Sequence, residues 1–293
     1  MPERQAKKPF QARIKVNIRR VTVNTLERKM VEVLTDLREN HHVIGIKAEF
    51  EAEGTRMEEA LRLKEVIMKA GLGLTLKIGG CEALRDMYEA RVIGVSTVVA
   101  PMVETPYALK KFLAAVKLAF PLDEREDVRF SVNIETIDAV KAFEQMLELP
   151  EIDILDGVVM GRVDLTGSMG LSREEINSQQ VFEITRELFT KAKQRNLECA
   201  IGGGVSAHSL PFFKELPAGL LDRYETRKVI FGCPAALEDG ADKAILKAVG
   251  FELLWLKNKR DYYHCISAED EHRIDMLESR YKASIEKAGG TLE

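Results

Sequence analysis

Asp156-Gly-Val-Val-Met-Gly-Arg-Val-Asp-Leu-Thr-Gly-Ser-Met-Gly-Leu171 is an apolar strand that breaks into a glycine-rich turn and sets one carboxylate, Asp164, at its mouth. Upstream, Arg129-Phe-Ser-Val-Asn-Ile-Glu-Thr136 ends the same way, with Glu135 where the apolar run gives out. The two acids lie about one strand-plus-helix unit apart, the separation expected of neighbouring parallel strands. Two carboxylates on adjacent strand ends suit a hard cation. They equally suit the capping of helices that begin just after them, and the spacing alone leaves both readings open.

Apolar and β-branched runs recur at 14–18, 43–48, 72–78, 96–103, 128–134, 154–160, 198–201 and 228–231. Helical periodicity fills most of the gaps, at 26–37, 57–70, 82–91, 107–120, 137–147, 178–195 and 209–221. Parallel neighbours need a crossover that a helix supplies, so the alternation predicts an α/β fold: a (β/α)8 TIM-type barrel over residues 1–250. An open doubly wound sheet fits less well, because no Gly-x-Gly-x-x-Gly turn follows an early strand. The first run is crowded by Arg13, Lys15, Arg19 and Arg20 and is the least regular. Residues 251–293 change character: Trp255, Tyr262 and Tyr263 lead into a long charged helix from Ala268. This C-terminal helical extension is expected to pack on the barrel or to reach a neighbouring subunit.

The chain has 293 residues, 45% hydrophobic and 31% charged, enough to bury a full core. A formal charge of −4 gives no broad basic footprint, which argues against nucleic acid as a partner. No apolar run reaches the roughly 18 residues that cross a bilayer, and the first 20 residues lack a signal-peptide core. A soluble, cytoplasmic protein without a membrane partner is expected. The four cysteines are scattered without a Cys-x-x-Cys pair, so neither a zinc ribbon nor a disulfide framework is indicated. Cys81, after two glycines, reads as a packed thiol before it reads as a nucleophile.

In a barrel, chemistry gathers at the C-terminal strand ends. That rule selects Glu49 and Glu51, Lys77, Glu104, Glu135, Arg162 with Asp164, and Ser206 with His208. Glu225 and Arg227, on the N-terminal side of the last run, are expected to be structural or at the far rim.

Three motifs in order, Ala100-Pro-Met-Val-Glu-Thr105, Asn133-Ile-Glu-Thr136 and Gly161-Arg-Val-Asp-Leu-Thr-Gly-Ser-Met-Gly170, resemble the strand-end motifs of the HpcH/HpaI aldolase and citrate lyase β-subunit family. The resemblance runs from about Val43 to Leu171. It implies a metal-dependent carbon–carbon lyase, often a homo-oligomer, acting on a 2-oxo acid or hydroxy acid through a metal-stabilised enolate. It further implies that Glu135 and Asp164 bind Mg2+ or Mn2+. The backbone of Gly161, Arg162, Val163 and Asp164, together with Lys77, would hold a small-molecule carboxylate substrate. Glu49, Lys77 and His208 are the candidates for catalysis.

Two departures matter. Where the family usually shows Asp-x-Glu-His or Asp-x-Glu-Asp, this chain reads Lys47-Ala-Glu-Phe50, and the expected substrate-facing arginine is Lys77. Two other functions therefore stay open: a catalytically altered barrel that binds a small carboxylate or a partner protein, and a Schiff-base lyase using Lys77.

Overall fold

Apolar runs alternating with amphipathic helices close into a barrel whose strands follow one another in chain order. The computed structural model describes residues 24–290. The strands are β1 (Val43–Glu49), β2 (Gly73–Lys77), β3 (Thr97–Ala100), β4 (Arg129–Ile134), β5 (Gly157–Gly161), β6 (Glu198–Gly202), β7 (Arg223–Glu225) and β8 (Val229–Gly232). Helix α1 (Thr25–His41) precedes β1. The crossovers carry α2 (Met57–Lys69), α3 (Leu84–Ile93), α4 (Pro106–Ala119), the short α5 (Leu122–Arg125), α6 (Ile137–Met146), α7 (Arg162–Ser168), α8 (Gln179–Lys193) and α9 (Leu210–Glu215). Helix α10 (Ala241–Lys287) follows the last strand.

The period-2 alternation of each strand sorts its side chains into two layers. In β1, Ile46 and Ala48 are fully buried in the main core, while the intervening Lys47 reaches Glu225 of β7, two strands away. Inside the barrel, Val99, Val159 and Ala200 form a small apolar cluster separate from the main core. Above that plug the strand ends carry charge.

Seven of the eight expected runs become strands. The run at 14–18 lies outside the described residues, and the barrel is completed by Arg223–Glu225 instead. Strands β1 to β7 are parallel, but β8 runs antiparallel to both β7 and β1. Chain length explains the reversal. Only Thr226, Arg227 and Lys228 separate the last two strands, and a parallel return needs a dozen or more residues. The hairpin is closed by the Thr226 N–H donating to the Val229 carbonyl at 2.9 Å. The periodic segment expected over 209–221 shortens to α9 because Pro217 disfavours a helical Leu216, whose ψ is 140°.

Helix α10 runs unbroken for 47 residues, so the change of character expected at residue 251 falls within one helix. Ile245, Ala248, Phe251 and Trp255 fasten its first half to the core. Among the described residues, no helix is long and apolar enough to cross a membrane.

Candidate functional site

Glu135 stands one residue past the end of β4 and is 3% exposed. It does not cap α6. That task falls to Thr136, whose hydroxyl accepts the Ala139 N–H at 3.2 Å. Glu135 Oε1 instead accepts the Met102 N–H at 2.9 Å, and Oε2 accepts Asn133 Nδ2 at 2.9 Å. Met102 donates from a left-handed conformation, φ 49°. Such a conformation costs a non-glycine residue about 1–2 kcal/mol, which a hydrogen bond to a charged acceptor, about 1.5–3 kcal/mol, is large enough to offset.

Burial pushes the Glu135 carboxyl above the ordinary carboxylate range. The Met102 N–H, the Lys77 charge and Asn133 oppose the shift, and the negative charge of Asp164 adds to it. Asp164 is exposed in the first turn of α7 and makes no hydrogen bond or ion pair among the described residues. Gly161 lies beside Glu135, where a Cβ would fall 2.4 Å from Glu135 Oε2 and 2.6 Å from its Cβ. Only glycine leaves this carboxylate room. At Gly203, φ +76°, a Cβ would fall 2.7 Å from Val163 N and 2.8 Å from Arg162 N, so a second glycine keeps the start of α7 uncovered from that side.

The other buried acids at the mouth are neutralised. Lys47 lies 3.1 Å from Glu225 and 3.3 Å from Glu49, while Lys77 lies 3.6 Å from Glu49 and 2.8 Å from Glu51. Lys228 and Arg227 both pair with Glu53. Burial alone would push the Glu49 carboxyl up, but Lys47, Lys77 and Arg227 together hold it below the usual range. Burial likewise works against the Lys47 charge, yet Glu225 and Glu49 raise its pKa. Of the buried carboxylates Glu49, Glu225 and Glu135, Glu135 alone has no salt-bridge partner among the described residues.

The remaining strand-end candidates lie around this mouth in different settings. Arg162 does not face the mouth: it is fully buried, with Nη1 on Asn177 Oδ1 at 2.6 Å and Nη2 on the Gly203 carbonyl at 3.1 Å and Ser209 Oγ at 3.2 Å. Phe212 and Phe213 lie against its guanidinium, and burial without a carboxylate lowers its pKa to about 9. Only its backbone remains available to a ligand. Val163, next to it, is half-buried, with its own N–H beside Gly203. His208 is exposed on a single 3-10 turn, Ala207–Ser209, with no hydrogen-bond partner among the described residues. Cys81 is half-buried against the Pro101 and Met102 carbonyls, and burial pushes its thiol up.

Glu225, Arg227 and Lys228 belong to the mouth rather than the far rim, because reversal of β8 turns its N-terminal end upward. The sequence held a signal for this in the three-residue gap between 223–225 and 229–232, too short for a helix. Lys47 was legible too, as a charge two residues before Glu49 on the same strand face.

The model of the HpcH/HpaI aldolase/citrate lyase family matches residues 81–207. The matched segment is similar to that family. It contains Glu135, Gly161 and Asp164, while Lys47, Glu49, Lys77, His208 and the β7–β8 hairpin lie outside it. Solved structures agree on the fold. An HpcH/HpaI aldolase from Desulfitobacterium hafniense DCB-2 is 14% identical, with a TM-score of 0.55 over 79% of this chain and 89% of that one. An HpcH/HpaI aldolase/citrate lyase family protein from Burkholderia cenocepacia J2315 is 15% identical, with a TM-score of 0.53 over 70% and 93%. Citrate synthase SbnG is 14% identical, with a TM-score of 0.55 over 79% and 90%. Among curated protein sequences, none gives a significant match.

Proposed function

We propose that this HpcH/HpaI-type barrel is a divalent-cation-dependent carbon–carbon lyase of the aldolase kind, acting on a 2-oxo acid or hydroxy acid. One observation carries the reading: Glu135 is buried at the mouth without a neutralising side chain, and Asp164 stands near enough to raise its pKa further. Two under-compensated carboxylates fit Mg2+ or Mn2+, which commonly take one or two from protein and complete their shell with water and substrate oxygens. Glu135 and Asp164 would hold the ion. When bound, it would supply Lewis-acid stabilisation of negative charge on a substrate oxygen.

The chain's own groups do the rest. The Lys77 ammonium and the backbone of Gly161, Arg162, Val163 and Asp164 hold the substrate carboxylate. Glu49, kept ionised by Lys47 and Lys77, serves as a proton acceptor and not as an acid near neutral pH. Lys77, lying between Glu49 and Glu51, is a paired ammonium, which supports a binding role over a Schiff base. Phe50, where the family pattern expects histidine, keeps alive one alternative: a barrel that binds carboxylates without turnover.

Isothermal titration of oxalate and pyruvate into the protein, with and without Mn2+, tests the site. Binding of oxalate that requires Mn2+ and disappears in both Glu135→Gln and Asp164→Asn is expected. Metal-independent binding, or binding unchanged in folded variants, would overturn the ligand assignment. Metal-dependent binding with no cleavage across a panel of 2-oxo and hydroxy acids would favour the non-catalytic alternative.

A further inference from the structure

Helix α10 is apolar on two faces. One face, with Ile245, Ala248, Phe251 and Trp255, is buried in the core. The other carries Leu246, Val249, Leu253 and Leu256, all 50–72% exposed. Their spacing alternates three and four residues, the a and d positions of a heptad repeat. Four heptads on, in the same register, stand Ile274, Leu277 and Tyr281, again exposed by more than half. Arg260, Ser267 and Asp270 leave the middle of the seam polar, and Tyr263, at the d position among them, is half-buried with its hydroxyl donating to Glu59 of α2 at 2.6 Å. Beyond Tyr263 the helix lies almost wholly in solvent to Lys287. More than six turns of helix without tertiary packing are only marginally stable alone, since most helical stability in proteins comes from packing an apolar face.

We propose that α10 pairs with α10 of a second copy of this chain, in parallel, as a two-stranded coiled coil that dimerises the protein. Charge selects the partner and its direction. In this register Arg273 and Arg280 occupy g positions, and Glu271 and Glu278 occupy e positions. A parallel pair sets each g residue against the e residue five places on in the other helix, so that Arg273 meets the partner's Glu278 twice across the two-fold axis. An antiparallel pair sets g against g and e against e, bringing like charges together. Apart from Tyr263, the seam points away from the face that holds the barrel, so the two barrels lie outside the pair. Cys265 sits at an f position, on the outside of the coil.

Sedimentation or light scattering of the full chain tests the pairing. A mass of twice 33.0 kDa, or a larger assembly built of such pairs, is expected. The double change Ile274→Asp with Leu277→Asp should halve that mass without altering the circular dichroism melt of the barrel, because neither side chain touches it. Arg273→Glu or Glu278→Arg alone should weaken association about tenfold or more, and the two together should restore it. Ser284→Cys, at a d position, should cross-link under mild oxidation while native Cys265 does not. A monomeric wild type, or an assembly whose mass the Asp pair leaves unchanged, would overturn the pairing. Failure of the charge swap to restore association, or of the Ser284→Cys variant to cross-link, would overturn its parallel direction.

Discussion

At the scale of single residues, the candidate site is a problem of charge held out of water. Glu135 carries a pKa above its unfolded value, so between the two values the folded protein binds a proton that the unfolded chain has released, and stability falls as pH rises through that window. Glu135→Gln is therefore expected to melt higher than wild type at neutral pH without divalent ions. The gap should close as pH falls below the ordinary carboxylate range, which thermal melts across pH would show. Added Mn2+ should raise the wild-type melting temperature and leave the variant unmoved, since a ligand at a hundred times its Kd stabilises by about 2.7 kcal/mol. Gly161 makes the complementary case. Its replacement by alanine drives a methyl into Glu135, and a cost of about 1–3 kcal/mol with loss of Mn2+-dependent binding is expected from denaturant melts and titration.

At the scale of elements, the β7–β8 hairpin builds one side of the mouth. By reversing the last strand it brings Glu225 to Lys47 and Lys228 to Glu53, so that β1, β7 and β8 share one buried ionic cluster. Removing Lys47 takes from Glu225 its nearest cation and leaves Glu49 with Lys77 at 3.6 Å, and breaking a buried pair costs about 3–5 kcal/mol. Lys47→Met should lose stability of that order in urea. Lys47→Met combined with Glu225→Gln should recover part of it, since one orphaned charge goes with its partner. The cluster also fixes a pH window. Glu49 has a lowered pKa, so its contribution is present above the unfolded carboxylate value and is lost as pH falls through the lowered one. Acid destabilisation of the hairpin side of the barrel should disappear in Glu49→Gln.

At the scale of the whole molecule, α10 divides into a half that belongs to the barrel and a half that does not. Phe251 and Trp255 are buried, whereas from His264 onward nearly every side chain is exposed. Cutting the chain after Cys265 should leave the barrel's melting temperature and its Mn2+-dependent oxalate binding intact while lowering its state of association, which calorimetry and light scattering together would establish.

Legible in the sequence alone were the repeating strand and helix, the barrel class and the place of Glu135 and Asp164 just past two strand ends, because each is a local pattern: a two-residue or near-four-residue apolar period, then a turn residue, then charge. It also held the heptad spacing along α10. Other features depended on closure of the barrel. Which run completed the ring, the direction of β8, the pairing of Lys47 with Glu225, and the withdrawal of the Arg162 guanidinium into the packing around Phe212 and Phe213 all join residues far apart in the chain. Whether a charge at a strand end faces the lumen paired, faces it alone or turns into the core is decided by neighbours that only the closed sheet brings together. That is why Glu49 and Glu135, alike in the sequence, differ in the fold: one lies between lysines, and the other has no salt-bridge partner among the described residues.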